Sequence, residues 1–443
     1  MMQAQPASVQ IMDRERDEYR RSFPRKMINS HCSLLICVLC LTFFIPACAP
    51  TGTTQPTYPS TPTLTPVQLG PTSTPSPAPL TAIPPIPSPT LIPIPPISDD
   101  DWSRGSLNAR VTFLVYADFQ CPYCALLAPV LAQLEQWHSE DIRTVFRHFP
   151  LISLHDKASL AGQAAEAAGA QGSFWAMHDL LFERYNDWTG LSPEQFKEWL
   201  ITAAEELSID VHRFEDDIVS GHYAQDMEEA FNIGLASGIP GTPLLFINGI
   251  LYQVKPSLNN LEAYVRLELL TSMQYDNYPP MTIEENEDVQ YLARIELELG
   301  EIVIQLYPEY APLAVNSFIF LAGEGWFDGN IFHRVVSDSF VESGDPTGTG
   351  FGEPGYHFAD EITEALSFDE PGMVALSSSG PDTNGSQFFI TLAPLPELNN
   401  SRTIFGRLIK GLDLLKNLQA RQPLEDLLIP PEAVIVSITI EVR

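Results

Sequence analysis

Apolar and polar positions divide this chain into two patterned stretches. The first opens with an apolar run, Val111 to Tyr116, which reads as a buried strand. Leu126, Val130, Leu131 and Leu134 then recur at helical spacing between Ala125 and Trp137, and Ile142 to Phe149 alternates like a strand. From Leu154 to about Gly238 the pattern is helical. Phe174, Met177 and Leu181 share one face, and Tyr223, Met227, Ala230 and Phe231 share another. Ser192-Pro193-Glu194-Gln195 is a capping box with proline in first position, starting a helix through Phe196 and Leu200. A strand at Leu244 to Ile247, a turn at Asn248-Gly249, a strand near Leu251 and a helix from Leu261 close the stretch.

The second stretch follows a polar linker, Gln274 to Asp288. Ile295, Leu297 and Leu299 alternate with Arg294, Glu296 and Glu298, and Gly300-Glu301 turns the chain into Ile302, Ile304 and Leu306. That is a hairpin with one buried face. A short helix spans Ala311 to Leu321, and a last strand lies around Val434 to Ile440.

Ahead of both stretches the composition changes. Arg20, Arg21, Arg25 and Lys26 precede an apolar run of 14 residues, Cys32 to Ile45, the length of a signal peptide and short for a membrane span. The run ends Ile45-Pro46-Ala47-Cys48, which resembles the lipobox of bacterial lipoproteins and implies lipid on Cys48; a plain secretory signal and an uncleaved anchor are the alternatives. All three place the body outside the cytoplasm, tethered to the membrane in the lipidated form. Ala49 to Ile97 holds 16 prolines and almost no charge. Such a segment buries no core and favours extended polyproline conformation, a spacer of up to roughly 150 Å at ~3.1 Å per residue. The expected organisation is a signal segment over 1–48, a disordered spacer over 49–100, a folded domain over 101–272, a linker over 273–289 and a second domain over 290–443.

Net charge over the 443 residues is −32, and beyond Lys26 it is −34, from 18 basic and 52 acidic residues. So acidic a surface repels phosphate backbones and argues against nucleic acid as a partner. Of six cysteines, four (Cys32, Cys37, Cys40, Cys48) lie in the N-terminal segment, leaving Cys121 and Cys124 in the body.

Those two stand in Phe119-Gln120-Cys121-Pro122-Tyr123-Cys124, between the first strand and the first helix. Cys121 falls at the helix start, where unpaired amides and the helix dipole favour a thiolate, and Pro122 falls where its missing N–H costs nothing. Two thiols on one helical turn can cycle between dithiol and disulfide. Half of a zinc site is the other reading, but beyond the N-terminal segment that ends at Cys48 no second cysteine pair or close histidine pair supplies the remaining ligands.

With Gly241-Thr242-Pro243 before the run Leu244 to Ile247, the cysteine motif resembles the thioredoxin fold and, within it, the DsbA-like thiol-disulfide oxidoreductases. The resemblance spans about Ala109 to Leu270. It implies an α/β thioredoxin-like fold with a helical insertion, Cys121 as nucleophile, Cys124 as resolving thiol, Pro243 as a cis-proline facing them, and Thr242 presenting backbone to a client. A membrane or extracytoplasmic redox partner is implied as well.

The second stretch carries Ile331-Phe332-His333-Arg334-Val335-Val336, Gly344-Asp345-Pro346-Thr347-Gly348-Thr349-Gly350, Thr383-Asn384-Gly385-Ser386-Gln387-Phe388-Phe389 and Phe405-Gly406. It resembles the cyclophilins, peptidyl-prolyl cis-trans isomerases on a mainly-β, eight-stranded antiparallel barrel. The resemblance implies Arg334 as the catalytic guanidinium, Phe389 and Leu398 as pocket walls, Gln387 as a contact to peptide backbone, and no metal or cofactor. Departures accompany it. The family phenylalanine aligns with Ser339, with Phe340 adjacent and able to take the place by a shifted register. The family glutamine aligns with Glu342, a histidine position with Arg402, and a tryptophan position with Glu397. Together the halves imply an exported, membrane-tethered folding factor whose partners are unfolded or folding exported polypeptides. A client-binding chaperone without turnover and an extracytoplasmic thiol reductase are the rival readings.

Overall fold

The structure, a computed structural model, describes residues 92–283 and 289–443. The basic N-terminal segment, the apolar run, Cys48 and most of the proline-rich stretch lie outside the described residues.

Around the cysteines a five-stranded sheet forms from β1 (Trp102–Gly105), β2 (Val111–Ala117), β3 (Ile142–His148), β4 (Leu244–Ile247) and β5 (Ile250–Leu251). Its order is β1-β3-β2-β4-β5, with β2 and β3 parallel and the other pairs antiparallel. The crossover between the parallel strands is helix α1 (Pro122–Trp137). β2 is central and buried on both faces. Phe113, Val115 and Ala117 face α1, whereas Leu114 and Tyr116 pack with Val145, Phe149, Ile239 and Phe246 on the opposite side.

Six helices fill the interval between β3 and β4: α2 (Ala158–Gly169), α3 (Phe174–Glu183), α4 (Tyr185–Trp188), α5 (Pro193–Glu206), α6 (Val211–Ser220) and α7 (Ala224–Ala236). The capping box at Ser192 is formed, both with Gln195 N–H on the serine hydroxyl and with the Gln195 side chain on Ser192 N–H. Trp188 is fully buried, stacks on Phe196 at 4.6 Å and donates its indole N–H to Leu181 O at 2.8 Å. The closing helix, α8 (Leu258–Leu270), starts three residues ahead of the sequence expectation because Ser257 caps it, accepting from Asn260 N–H.

The second half is one eight-stranded antiparallel sheet: β6 (Tyr291–Leu297), β7 (Gly300–Leu306), β8 (Arg334–Val336), β9 (Phe340–Ser343), β10 (Met373–Leu376), β11 (Phe388–Thr391), β12 (Ile404–Lys410) and β13 (Ile435–Val442). The order is β13-β6-β7-β12-β10-β11-β9-β8. An Ile331–Val434 bridge, with Ile435 N–H on Asn330 O at 2.8 Å, brings the sheet's two ends together. The sheet is therefore curled, and α9 (Pro312–Gly323) packs Val315, Phe318 and Leu321 into its apolar core.

Residues 274–283, a polar linker in the sequence reading, are packed against this second half. The Tyr275 ring contacts Phe320, Trp326 and Tyr356, and Tyr278 donates its hydroxyl to Leu313 O at 2.7 Å. At the other end of the described chain, Arg147 donates to Pro95 O and Pro96 O, both at 2.8 Å, and Ile92 and Ile94 cover the outer face of β2.

Trp188 ties the helical block together, joining Leu181, Tyr185, Phe196 and Trp199. Trp188→Ala is expected to lower stability by about 3–5 kcal/mol, the usual cost of deleting a fully buried tryptophan. A urea midpoint followed by far-ultraviolet circular dichroism measures it.

Candidate active sites

At the thiol site, Cys121 is the N-cap of α1, in extended conformation (φ −74, ψ 122), with Pro122 at the first helical position. The helix's free amides therefore surround its sulfur. Across the site Thr242 and Pro243 form a cis peptide bond, and the Cys121 thiol lies 3.3 Å from Thr242 O. The Cys121 pKa falls to about 6, chiefly through a hydrogen bond from the Cys124 thiol, with backbone N–H groups of Cys124 and Tyr123 adding to it and burial opposing. Burial pushes the Cys124 thiol well above its ordinary value, and the neighbouring Cys121 pushes the same way. One sulfur is thus an anion near neutral pH and the other its proton donor.

The loop ahead of Cys121 is held by side chains far away in sequence. Asp118 is buried; one oxygen accepts from Gln120 N–H at 2.7 Å, the other from Leu151 N–H at 2.9 Å and from His155 Nδ1 at 2.7 Å. Tyr185, from the helical block, donates to Gln120 O at 2.9 Å, and Lys157 N–H donates to the Gln120 side chain at 2.6 Å. Asp118 and Gln120 thus hold the loop. Tyr123 and Leu126, each 69 % exposed, make an apolar rim beside the cysteines. Behind Cys124 is a small cavity lined in part by Arg104, Thr144, His178 and Pro243. It lies on the inner side of the pair, away from the rim.

The second site follows from strand periodicity. Arg334 on β8 is directly opposite Glu342 on β9, and Glu342 is opposite Phe389 on β11, itself opposite Ala375 on β10. Cross-strand partners share a face, as do residues two apart, so Phe340 and Met373 join them. Val341, Phe388, Ile390 and Val374 point the other way, into the core of the curled sheet. The outer face carries an apolar cluster of buried Phe368, Met373, Ala375, Phe389 and Ile404, with partly buried Phe340, Leu366, Leu395 and Leu398 packed against it. Phe340 and Phe389 meet edge to face at 5.8 Å. A three-residue turn puts Phe340 there. Asp338 takes φ 57 and Val336 pairs with Phe340, so Ser339 lies in the turn, outside the strand.

Arg334 is held from two sides. Its guanidinium carbon sits 5.2 Å from the centroid of the Phe340 ring, and Nη1 lies 3.7 Å from Glu342 Oε2. Glu342 is buried and accepts a hydrogen bond from Ser377 on its other oxygen. Arg334 Nε is buried with no hydrogen-bond partner, while 28% of the side chain stays exposed. Gln387 spends both amide N–H bonds on Gly350 O (3.2 Å) and Gly352 O (2.9 Å), which leaves its oxygen to accept from peptide N–H. Arg402 donates to Ser378 Oγ at 3.0 Å.

The structure thus gathers Cys121, Cys124, Thr242 and Pro243 in one site. It gathers Arg334, Phe340, Phe389 and Leu398 in the other, with Gln387 at its edge; Cys48 lies outside the described residues. Sequence reasoning missed Met373 and Phe368 as pocket walls, Ser377 as the partner of Glu342, and Tyr185 and Lys157 behind the thiol loop. Alternation of Met373 with Ala375 next to a strand carrying Phe389 was the available signal for the first; the others carried none.

Comparison with known proteins gives each half a relative. Residues 292–440 match the family model "Cyclophilin type peptidyl-prolyl cis-trans isomerase/CLD", and residues 98–266 match a thioredoxin model. The isomerase ppi1 of Schizosaccharomyces pombe is 48% identical over 132 residues, 29% of this chain and 85% of the relative. Human peptidyl-prolyl cis-trans isomerase-like 1 is 44% identical over 124 residues, 27% of this chain and 75% of the relative. A cyclophilin-type isomerase crystal structure from Cryptosporidium parvum aligns with a TM-score of 0.32 at 35% identity, covering 34% of this chain and 98% of that one. The chain belongs to the cyclophilin-type peptidyl-prolyl cis-trans isomerases. It carries a thioredoxin-like domain ahead of the isomerase domain.

The thiol geometry sets a pH dependence. Because Cys121 ionises near 6, its alkylation rate is expected to rise between about pH 5 and 7 and then level off. Cys124 should stay unlabelled over that range. Iodoacetamide labelling of the reduced chain with peptide mass mapping checks both; a Cys121 inflection near ~8.5, that of a free thiol, contradicts the geometry.

Proposed function

We propose that this protein is an exported, membrane-tethered folding factor that isomerises X-Pro bonds at Arg334 and exchanges disulfides at Cys121 and Cys124. The observation that carries the reading is a low-pKa cysteine at a helix start facing Thr242 O, on the same chain as a guanidinium beside an apolar pocket. Disulfide exchange and proline isomerisation are the two slow covalent-geometry steps of folding.

In the isomerase step a client proline enters the pocket of Phe340, Met373, Phe389 and Leu398, and Gln387 aligns the peptide backbone. Twisting the amide breaks its conjugation and makes the nitrogen pyramidal and basic, so an N–H of Arg334 donates to that nitrogen more strongly in the twisted state than in either planar one. No proton is transferred. Glu342, standing where the family has glutamine, adds a buried negative charge beside the guanidinium. It favours peptides with a basic residue near proline.

In the thiol step, written in the oxidising direction, a client thiolate attacks Cys121 of the disulfide form. The Cys121–Cys124 bond breaks and Cys124 leaves as a thiolate that takes a proton. A second client thiolate attacks the client sulfur of the mixed disulfide, and Cys121 leaves as its stabilised thiolate. Two electrons move from client to protein; the reverse sequence reduces a client. The apolar rim of Tyr123 and Leu126 suits unfolded segments. The DsbA-like assignment rests on the helical block between β3 and β4 together with the Cys-Pro-Tyr-Cys motif. Lipid on Cys48 and a proline-rich spacer complete the proposal, with the body outside the cytoplasm and a membrane or extracytoplasmic redox partner.

Isomerisation of a proline tetrapeptide series tests the first activity. Arg334→Ala is expected to lower kcat on the order of 10²-fold, the usual loss of one transition-state donor. Glu342→Gln should lower KM for neutral peptides and remove the salt-sensitive preference for basic ones. A wild-type rate equal to buffer would mean that the domain holds peptides without turning them over.

Cys124→Ser tests the second activity in the reducing direction: the Cys121 thiolate attacks a client disulfide, one client sulfur leaves as a thiolate, and the mixed disulfide is expected to persist because no Cys124 remains to attack it. The trapped species should sediment with membranes, and adding Cys48→Ala should release it. Absence of any Cys121-linked client on a non-reducing gel defeats the thiol reading, and membrane retention after Cys48→Ala defeats lipidation.

A further inference from the structure

The helix that closes the thioredoxin-like domain reaches the isomerase site. In α8, Glu262 is buried (3 % exposed) and both its oxygens are used: Oε2 pairs with His138 Nε2 at 2.8 Å, and Oε1 accepts from Arg266 Nε at 2.7 Å. A carboxylate so enclosed needs both partners, and it fixes the plane of the Arg266 guanidinium. Arg266 Nη1 then donates to Thr347 O at 3.1 Å, in the isomerase domain.

Thr347 belongs to a loop tied together through one buried carboxylate. Asp345, fully buried, accepts from Thr347 N–H and Thr347 Oγ1 on one oxygen, both at 2.7 Å. Its other oxygen accepts from Gly350 N–H at 2.7 Å and Thr349 Oγ1 at 3.2 Å. A displacement at Thr347 is therefore carried to Gly350, whose carbonyl, with that of Gly352, holds the amide of Gln387. The same strip is gripped further along. A Cβ built on Gly352 would lie 3.1 Å from Leu270 Cδ2, Gln274 Nε2 donates to Glu353 O at 3.1 Å, and Tyr275 N–H donates to Pro354 O at 2.7 Å. Arg266, Leu270, Gln274 and Tyr275 all precede residue 292, where the isomerase family match begins.

We infer that Arg266 is a positioning residue for the isomerase. Helix α8 and the strap after it hold the 345–355 loop so that the Gln387 oxygen is aimed at the peptide backbone, and this isomerase site is completed by the thioredoxin-like domain. Arg266 touches no substrate; it acts through Thr347, Asp345, Gly350 and Gln387. Loss of the clamp frees the Gln387 amide to turn, which weakens the grip on peptide and leaves the Arg334 donor in place. The effect belongs in KM and peptide Kd, with kcat preserved.

The inference rests on the isomerase reading, so the test measures peptide binding as well as turnover, on the full chain with its cysteines reduced. Arg266→Met keeps the aliphatic stem and removes the donors; Gln274→Ala removes one exposed contact to the same loop with little threat to folding. For an X-Pro tetrapeptide, Arg266→Met is expected to raise KM and Kd three- to tenfold with kcat within twofold of wild type. Arg266→Lys should fall between, and Gln274→Ala should raise KM about twofold. Hydrogen exchange at the amides of residues 347–352 should quicken in step. Wild-type KM and Kd in both Arg266→Met and Gln274→Ala overturn the inference, as does a kcat loss that merely tracks the unfolded fraction. Should wild type bind peptide without turnover, the isomerase reading fails while the Kd comparison still decides the clamp; should it bind no peptide, both fail.

Discussion

An extended strand sends successive side chains to opposite faces, and both halves of this protein are built on that constraint. In β2 it divides Phe113, Val115 and Ala117, under α1, from Leu114 and Tyr116 on the far face. The central strand is thereby buried twice, and its C-terminal end can deliver the thiol loop to a fixed place. In β9 it divides Val341, inside the curled sheet, from Phe340 and Glu342 outside. The catalytic face exists because each strand has already spent its other face on the core. A one-residue slip of β9 would bury Glu342 in the core and empty the pocket of Phe340.

On that frame the two sites manage charge in opposite ways. At the helix start, amides and the Cys124 thiol stabilise an anion, drawing the Cys121 pKa down to about 6. At the isomerase site the cation has a partner. Glu342 lies 3.7 Å from Arg334 and is itself held by Ser377, so part of the guanidinium's field is already answered before a peptide arrives. The guanidinium keeps 28% of its side chain exposed, with the ring of Phe340 behind it. A carboxylate at 342 thus sets a negative partner beside the guanidinium where an amide would not.

The junction between the halves is built from the same materials as a domain interior. Leu269, Leu270 and Met273 at the end of α8 continue, through Tyr275, into Trp326 and Tyr356 of the isomerase domain. A buried carboxylate, Glu262, lies beside this apolar seam and satisfies a residue from each of two helices. Separating the halves would expose this apolar surface and take the Thr347 carbonyl from Arg266, so the junction holds their orientation. The fusion is accordingly a physical joint as well as a covalent one.

The sequence alone determined the local chemistry. Periodicity marked β2, α1, β3 and the β6–β7 hairpin, the Ser192 capping box stands as read, and Cys121 was placed at a helix start by neighbours within a few residues. These features are legible because hydrogen bonding and burial along one strand or one helical turn depend on nearby positions. The cysteine motif and the Arg334 motif were likewise visible as short strings. Tertiary structure decided what brings distant strings together. The turn at Asp338 put Phe340 rather than Ser339 in the pocket, Ser377 was joined to Glu342 across 35 residues, and Arg266 met Thr347 across 81. It also packed residues 274–283, whose polarity reads as free linker but whose tyrosines find an apolar surface supplied by α9 and the curled sheet. Pairings of that kind depend on which surfaces the folded domains present to each other, and no local pattern of side chains encodes them.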